Sequence, residues 1–389
     1  MSVCMIGWSH SQFGRLPEDD VESLVARVAR GALQDAGIAA DDVDEIVVGH
    51  FNAGLSNQDF SASLPMEIDP VLRFKPASRV ENACATGSTA ILHGGRAIEA
   101  GKARHVLVVG VEKMTHLSSA EVGPILLKAL HEPEQANAGD MGFGGVFARV
   151  AKRYFQVHGD QSEAIARIAA KNHANGARNP YAHVQKDLGY EFCRFESEKN
   201  PMIEAPLKRT DCSMITDGAA AVVLTDEETA RGAAKAVRIR ASNLVSDRLP
   251  LAERDILAFE GPAEAWRRTL KDANLGLNDL DFVETHDCFT IAELMEYEAM
   301  GLTPKGRGAE AILEGWTHRD GKLPVNPSGG LKAKGHPIGA TGVSMHVMTA
   351  MQLTSAAGDM QLDNPQLAGI FNMGGMAVAN YCAILEPVR

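Results

Sequence analysis

Apolar residues recur along the chain at two kinds of spacing. In segments 21–36 and 263–273 they fall three and four positions apart, which is typical of a helix with one buried face. Those faces carry Leu24, Val25, Val28 and Ala32 in the first segment, and Ala263, Trp266, Leu270 and Ala273 in the second. Short apolar runs at 46–48 and 282–283 follow the two helices and predict strands. Helices that alternate with short strands predict the α/β class.

The two helix–strand segments belong to an internal repeat. Residues 35–50 align with residues 272–287 without a gap. The identical pairs are Asp35/Asp272, Ala36/Ala273, Asp42/Asp279 and Asp44/Asp281. Each half also has an Ala-Thr-Gly that opens a predicted helix, at 85–87 and 340–342, and then a predicted strand, at 106–111 and 370–371.

We interpret the chain as a duplicated α/β unit, with one half at 1–232 and the other at 233–389. Residues 112–211 have no counterpart in the second half. We expect this segment to be an insertion in the first half, with helices near 146–158 and 163–174.

Composition narrows the possible functions. The 389 residues include 50 acidic and 38 basic side chains, a net charge of −12, which disfavours a protein that coats nucleic acid or lies on an anionic membrane. The longest stretch without Asp, Glu, Lys or Arg, 335–358, holds two His and many small polar residues, so we expect no membrane span. The first residues show no basic and apolar leader, and we expect a cytoplasmic protein.

The first loop with candidate chemistry surrounds Cys84. It lies among small residues in ENACATGSTA (81–90), just before a predicted helix. Free N–H groups at a helix N-terminus favour a thiolate, so Cys84 is a candidate nucleophile. From its position alone, a buried structural cysteine explains the pattern equally well.

The second loop is glycine-rich and carries His336. Residues 325–342, VNPSGGLKAKGHPIGATG, contain five glycines and two prolines, which predict a tightly turned loop before a helix. The segment matches neither GxxxxGK[ST] nor GxGxxG. The alternative is a turn with an incidental surface histidine.

Two more loops follow predicted strands. His286, Asp287 and Cys288 stand at the carboxyl end of the strand at 282–283, where ligands bind in open α/β sheets, and they suit proton transfer. A metal site would need more ligands than these three, and we expect no metal. Residues 369–376, GIFNMGGM, run from a strand into paired glycines, which can aim N–H groups at an oxyanion or can form a hairpin turn.

Together these loops resemble the thiolase superfamily over the whole chain. GHPIGATG matches the family's Gly-His-Pro motif, ENACATGSTA its nucleophilic-cysteine loop, and KNHANGARNPYAH and RTDCSMITDGAAAVVL its segments around the insertion. His-Asp-Cys-Phe at 286–289 replaces the Asn-Glu-Ala-Phe of most thiolases and is typical of the sterol-carrier-type branch.

The resemblance implies a five-layered αβαβα fold in which each half contributes one mixed sheet. The insertion becomes a loop domain over the acyl-CoA, and a homodimer or homotetramer is expected. Coenzyme A and acyl-CoA are then substrates, with no resident cofactor. The implied activity is that of a 3-ketoacyl-CoA thiolase or acetyl-CoA acetyltransferase in lipid metabolism, such as fatty acid β-oxidation.

Residue roles follow from the same resemblance. Cys84 takes the acyl group as a thioester, and His336 activates Cys84 and helps to hold the thioester oxygen. His286 completes that first oxyanion hole, while the N–H groups of Cys84 and Gly374 form a second one. Four cations near the matching segments are candidates for the phosphates of CoA, namely Lys208, Arg209, Lys332 and Lys334.

One position departs from the common thiolase pattern. Asn372 stands where many thiolases have a second catalytic cysteine. In the sterol-carrier-type branch the cysteine of His-Asp-Cys-Phe takes that role, which points to Cys288. A thiol with a modestly lowered pKa can take the α-proton of acetyl-CoA or the proton of incoming CoA. The other four cysteines, Cys4, Cys193, Cys212 and Cys382, are predicted to be structural.

Three other functions remain open. A decarboxylating condensing enzyme of the ketoacyl synthase kind would also use Cys84 and two histidines, but Pro337 and Cys288 disfavour it. A thiolase-like retro-aldolase does not rely on the nucleophilic cysteine, so Cys84 disfavours that function. A carrier or scaffold subunit that works with a small OB-fold, zinc-ribbon partner is compatible with Asn372.

Overall fold

A computed structural model describes residues 2–139 and 141–388. The strands are β1 (Val3–His10), β2 (Glu45–Gly49), β3 (Ala77–Val80), β4 (His105–Glu112), β5 (Met202–Glu204), β6 (Leu207–Lys208), β7 (Gly218–Asp226), β8 (Val237–Ser246), β9 (Phe282–Glu284), β10 (Ala368–Gly374) and β11 (Ala379–Pro387). The helices are α1 (Val21–Ala36), α2 (Thr86–Glu99), α3 (Ser119–Leu127), α4 (Glu132–Gln135), α5 (Phe143–His158), α6 (Ser162–Gly176), α7 (Gly189–Arg194), α8 (Glu227–Ala230), α9 (Glu260–Ala273), α10 (Thr290–Ala299), α11 (Gly308–Leu313), α12 (Gly330–Ala333) and α13 (Ile338–Leu353).

Within residues 2–139 and 141–388, nine strands form one mixed sheet in the order β3-β2-β4-β7-β1-β8-β11-β10-β9. The first five belong to the N-terminal half and the last four to the C-terminal half. We expected one sheet from each half, and the structure joins them, because residues 3–5 of β1 pair with residues 237–239 of β8. The hairpin β5-β6 stands apart from this sheet.

The layered arrangement is confirmed. Helices α2 and α13 pack against each other in the middle and contact strands of the sheet, while α1 covers the outer face of β1, β7 and β4, and α9 that of β8 and β11. Successive residues of β4 show why the strands are apolar throughout. Val106 and Val108 point into the central core with Val343, whereas Leu107 and Val109 point into the outer core with Leu24.

Local sequence signals fix several helix ends. Helix α1 has the predicted bounds, because Asp20 and Ser23 form a capping box and Gly37 ends the helix with φ +68°. Helix α9 begins at Glu260, three residues before the predicted start at 263. The two helices predicted in the insertion are α5 and α6.

The segment between β4 and β7 carries helices α3–α7 and the hairpin β5-β6. Helix α6 packs on α10, α11 and α12 of the C-terminal half, and Phe147 of α5 stacks on Phe289 with ring centroids 4.2 Å apart. The insertion therefore covers the ends of β9 and β10. The boundary at 232 falls between α8 and β8 and stays a prediction. Among the described residues, no helix is long and apolar enough to cross a bilayer.

Candidate active site

Three of the predicted loops meet at one point. Cys84 precedes α2, His336 precedes α13 and His286 follows β9. The Cys84 sulfur and a ring nitrogen of each histidine all lie within 4.8 Å of one another, and the two rings stand at 82° with centroids 5.2 Å apart. In the part of the chain that the structure describes, this is also the only group of three potential metal ligands of the His, Cys or carboxylate type. A thiol beside two imidazoles is an arrangement for nucleophilic and acid–base chemistry.

Cys84 sits in a strained turn and is neutral at rest. Ala83, the preceding residue, has φ +48°, a left-handed conformation that alanine rarely adopts. Burial raises the pKa of the Cys84 thiol to about 12, although the N–H of Gly375 donates a hydrogen bond to its sulfur and lowers it. The helix N-terminus by itself favours a thiolate, but desolvation outweighs it. Attack by this sulfur requires a base.

His336 is placed to be that base. Burial, with the charge of Lys334, lowers its pKa to about 3, so the ring is neutral. Its Nδ1 lies 2.7 Å from the Thr341 hydroxyl, and that hydroxyl lies 3.0 Å from the carbonyl oxygen of Pro337. A carbonyl can only accept, so the hydroxyl donates to Pro337 and accepts from Nδ1–H. The other nitrogen, Nε2, is left with a free lone pair.

His286 is buried and is held by Asn372. Burial, and then the neighbouring His336, lower the pKa of His286 well below its ordinary value. The Asn372 amide nitrogen lies 2.9 Å from His286 Nδ1 and 3.0 Å from the Cys84 carbonyl oxygen, while its oxygen accepts from Ser88 Oγ at 2.8 Å. Sequence reasoning treated Asn372 only as a missing cysteine and missed these contacts.

Cys288 faces the same cavity as Cys84 but is a weak acid. Burial raises its pKa well above the ordinary value, and Cys84, Glu296 and Asp287 raise it further. The pKa of Cys288 is thus shifted in the direction opposite to the modest lowering that would make proton abstraction easy. Its backbone carbonyl accepts from Ser213 N–H at 2.8 Å, which fixes the loop. The side chain is therefore a neutral thiol at rest, and it can take a proton only after it has given up its own.

The paired glycines after β10 pack against the Cys84 loop. At Gly374 an added Cβ would stand 2.5 Å from the Asn82 carbonyl oxygen, so no side chain fits there. Gly375, with φ +61°, supplies the N–H that reaches the Cys84 sulfur. The oxyanion role of the Gly374 N–H stays a prediction, and Gly375 is a contact that sequence reasoning missed.

A cavity of about 660 Å³ opens from these residues toward the insertion. Cys84, Cys288 and His336 form one wall. The rest is mostly apolar and includes Met114, Val122, Leu126, Met141, Phe143, Phe147, Ile203, Ile215 and Phe289. The exposed side chains of Arg15 and Arg209 also line it. Such an apolar cleft with few polar groups is typical of a ligand site.

The structure corrects three of the four predicted phosphate-binding cations. Lys208 is buried and pairs with Asp211 at 2.8 Å. Lys332 is buried and donates to the carbonyl of Cys212, and Lys334 is fully buried. Their burial removes all three from solvent, and Arg209 alone stays at the cavity.

The remaining cysteines divide into two groups. Cys4, Cys193 and Cys382 are buried, as structural cysteines are. Cys212 is only half-buried and lines the cavity with Cys84 and Cys288, and its structural role stays a prediction.

A buried polar network supports the site from behind. Asp287 accepts from the N–H groups of Leu331 and Lys332 at 2.6 and 3.2 Å and from the Asn172 side chain at 2.7 Å. Burial and the charge of Glu293 raise the pKa of Asp287 to about 7. The network ties α6 of the insertion to the loop that carries His336.

Comparisons with known proteins show the family to which the chain belongs. The family model "Thiolase, N-terminal domain" matches residues 3–189, and "Thiolase C-terminal domain-like" matches residues 244–387. An acetyl-CoA acetyltransferase of Methanothermobacter thermautotrophicus is 35% identical over 379 residues, 96% of each chain. Human sterol carrier protein 2 is 32% identical over 376 residues, 91% of this chain and 66% of that protein. A solved structure of an Ltp2-ChsH2(DUF35) aldolase superimposes with a TM-score of 0.84 at 20% identity, covering 99% of this chain and 97% of the other, and shows the common fold.

Proposed function

The chain belongs to the thiolase family and is a thiolase-type acyltransferase, and we propose that it works through an acyl thioester on Cys84. The reaction is thiolytic cleavage of a 3-ketoacyl-CoA or the reverse Claisen condensation with acetyl-CoA. The observation that carries this proposal is the position of the Cys84 sulfur, within 4.8 Å of a ring nitrogen of each of two neutral histidines at the wall of an apolar cavity.

In the cleavage direction, His336 Nε2 takes the proton of Cys84 while the sulfur attacks the 3-keto carbon. Because the pKa of the thiol is about 12, this proton transfer accompanies the attack. The bond between C2 and C3 then breaks, leaving an acyl-Cys84 thioester and the enolate of acetyl-CoA. The raised pKa of Cys288 keeps its thiol protonated, and the thiol gives its proton to that enolate. Incoming CoA gives its proton to Cys288, and its sulfur attacks the acyl carbon. The bond to the Cys84 sulfur breaks, and Cys84 takes back the proton that His336 holds.

The cavity suits acyl-CoA as substrate and coenzyme A as second substrate, with no resident cofactor. Its apolar lining excludes water from the acyl chain and from the thioester. The phosphates of CoA would meet Arg15 and Arg209, because these exposed cations stand at the same opening. We place the reaction in cytoplasmic lipid metabolism, such as fatty acid β-oxidation.

Intact mass after incubation with acetoacetyl-CoA tests the proposal. The wild-type protein should gain one acetyl group and Cys84→Ala should gain none. Added CoA should then remove the group and release acetyl-CoA. A wild-type protein that stays unmodified with acetoacetyl-CoA and with longer 3-ketoacyl-CoAs would contradict the acyl-enzyme.

We also propose a homodimer formed at β3. In the described part of the chain, this strand is at the edge of the sheet and pairs on one side only, with β2. Phe60 and Phe74, in the segment that precedes it, are 74% and 91% exposed. An open edge beside exposed aromatic rings is typical of an interface. Light scattering should show a dimer for the wild type and a monomer for Phe74→Glu.

A second candidate is a partner-dependent lyase subunit. It is favoured by the fold shared with the Ltp2-ChsH2(DUF35) aldolase and by Asn372 in place of a second cysteine. Such a subunit would cleave a carbon–carbon bond without an acyl-Cys84 intermediate. It would co-purify with a small OB-fold, zinc-ribbon protein, need that protein for activity, and keep its activity in Cys84→Ala.

A further inference from the structure

The side-chain amide of Asn372 has a fixed orientation. One of its contacts is the Cys84 carbonyl oxygen, at 3.0 Å, which can only accept a hydrogen bond. The nitrogen of the amide must therefore face Cys84. The amide oxygen then faces Ser88, whose hydroxyl donates to it at 2.8 Å. Asn372 is fully buried, so no water competes for these positions.

This orientation decides where His286 carries its proton. The amide nitrogen has two hydrogens, one for Cys84 and one that points at His286 Nδ1, 2.9 Å away. Nδ1 must accept, so it is unprotonated. A neutral imidazole has one N–H, and in His286 it is therefore on Nε2. His336 has the opposite tautomer, because Thr341 holds the proton on its Nδ1.

We propose that Asn372 is a positioning residue that holds His286 as the Nε2–H tautomer, so that its ring donates a hydrogen bond to the thioester oxygen and does not act as a base. Thr341 gives His336 the complementary role, with Nε2 free to take the proton of Cys84. The catalytic significance of this assignment rests on the proposed function, whereas the tautomers themselves do not. The two adjacent histidines thus act as donor and acceptor, because Nδ1 of His286 accepts a hydrogen bond from Asn372 whereas Nδ1 of His336 donates one to Thr341.

The alternative tautomer would harm the reaction. With its proton on Nδ1, His286 would present a lone pair where negative charge develops on the thioester oxygen. Loss of one oxyanion donor lowers turnover on the order of 100-fold. A cysteine at position 372 would be a weak donor and could not hold Cys84 and His286 at once.

Asn372→Asp tests the proposal most directly, because a carboxylate has the same shape as the amide but only accepts hydrogen bonds. His286 should move its proton to Nδ1, and at about pH 8 the kcat should fall on the order of 100-fold, with a smaller change in KM. As the pH falls the ring gains a second proton, Nε2–H returns, and kcat should recover in part. The wild type should show no such recovery. The ionisable groups that face His286 are Cys84, His336 and Glu296, and none of them changes in the variant.

The tautomers are read directly from the ring nitrogen resonances of protein labelled with ¹⁵N-histidine, with His286→Gln used to assign the His286 signals. The wild type should show Nε2–H at His286. Nδ1–H in the wild type, or an unchanged tautomer in Asn372→Asp, would overturn the proposal. If the aspartate variant does not fold, Asn372→Ala removes the same donor and should leave His286 with both tautomers.

Asn380→Asp is the matched control. Asn380 is a buried asparagine on β11, opposite Met373, and its amide nitrogen donates to the carbonyl of Ala377 at 3.0 Å. It makes no hydrogen bond with His286, so the tautomer and the shape of the pH profile should stay those of the wild type. If the resonances follow the prediction but no acyl-Cys84 forms, the tautomer assignment stands and the proposed function fails.

Discussion

The two halves place different residues at equivalent points of the sheet. In the N-terminal half, the parallel strands β2 and β4 align Gly49 with Gly110. In the C-terminal half, the parallel strands β9 and β10 lead to His286 and Asn372, whose side chains are 2.9 Å apart. The sequence repeat aligns Gly49 with His286. One half thus has two glycines where the other has a hydrogen-bonded polar pair.

The glycines make room for the two central helices. A Cβ on Gly110 would stand 2.6 Å from the carbonyl oxygen of Gly339, at the start of α13. A Cβ on Gly49 would stand 3.3 Å from the backbone of Gly87 in α2. The duplication therefore supplies the same strand-end geometry twice. One copy admits the helix that follows His336, and the other carries His286 and Asn372.

Replacement of Cys288 tests the C-terminal copy of the repeat and should have the largest effect. Cys288 comes directly after the repeated segment of the C-terminal half, and Phe51 is the equivalent residue in the N-terminal half. In Cys288→Ala, acetyl-CoA should still acetylate Cys84, because that step needs only His336. Formation of acetoacetyl-CoA should fall by about 100- to 10,000-fold, because no group takes the α-proton.

Intact mass and a product assay on one sample separate the two steps in Cys288→Ala. Acetyl-Cys84 without acetoacetyl-CoA is the expected result. Condensation at the wild-type rate would mean that another group takes the α-proton, and the chemical difference between the halves would then lie elsewhere.

Replacement of Gly342 tests the packing that the halves share. The Ala-Thr-Gly of each half places a glycine where α2 and α13 cross, and a Cβ on Gly87 would stand 2.7 Å from the Val343 nitrogen. A Cβ on Gly342 would collide with the Ser88 backbone. Gly342→Ala should lower the free energy of unfolding by about 3 kcal/mol, because the overlap outweighs the helix propensity of alanine.

Gly95→Ala is the control for this crossing, measured by the same denaturant titration. It lies in α2 like Gly87, but the nearest atom to its added Cβ is in Val3, at an ordinary 3.5 Å. The free energy of unfolding of Gly95→Ala should rise by up to about 1 kcal/mol, because alanine has the higher helix propensity. Equal stabilities for Gly95→Ala and Gly342→Ala would show that the crossing does not depend on its glycines.

Glu112 holds the two copies together at the end of β4. Its buried carboxylate accepts from the N–H groups of Phe51 and Asn52 at 3.1 Å and of Gly339 at 3.0 Å. In Glu112→Gln an NH2 group would face these donors. The free energy of unfolding should fall by about 2 kcal/mol in urea titrations. Glu99→Gln, at the exposed end of α2, should leave it unchanged, and a similar loss there would contradict the role of Glu112.

The fold could be predicted from the sequence because its signals are local. Apolar spacing gave α1 its exact bounds, and the repeat and the Ala-Thr-Gly pair placed two central helices. The approach of Cys84, His286 and His336 was also predictable, because each lies in a loop whose residues match a family motif.

Burial and long-range pairing could not be predicted. Lys208 and Lys332 look like surface cations in sequence, and only the fold places them beside Asp211 and the Cys212 carbonyl. The raised pKa of Cys84 depends on desolvation, which residue spacing does not report. The contact between Asn372 and His286 follows from the pairing of β9 with β10, and no local pattern shows which strands are neighbours.

The smallest expected effect concerns His346, in a central helix. It lies four residues after Gly342, as Ile91 lies four after Gly87, so only the C-terminal half buries a histidine there. Burial lowers the pKa of His346 to about 4 from an ordinary 6.5. Below pH 6.5 the imidazole of His346 binds a proton in the unfolded chain but not in the folded chain. The free energy of unfolding is therefore unaffected by this histidine above pH 6.5 and falls as the pH approaches 4.

His346→Gln removes this titration and keeps a polar side chain between the Gly342 carbonyl and the Tyr381 hydroxyl. Between about pH 7.5 and pH 5.5 the variant should lose about 1 kcal/mol less stability than the wild type, because one protonation linked to unfolding is gone. Urea titrations at the two pH values measure the difference. The control is His93→Gln, at a ring that is 49% exposed. Over the same pH range it should lose as much stability as the wild type. If both variants behave alike, the pH sensitivity does not arise from the histidine that distinguishes α13 from α2.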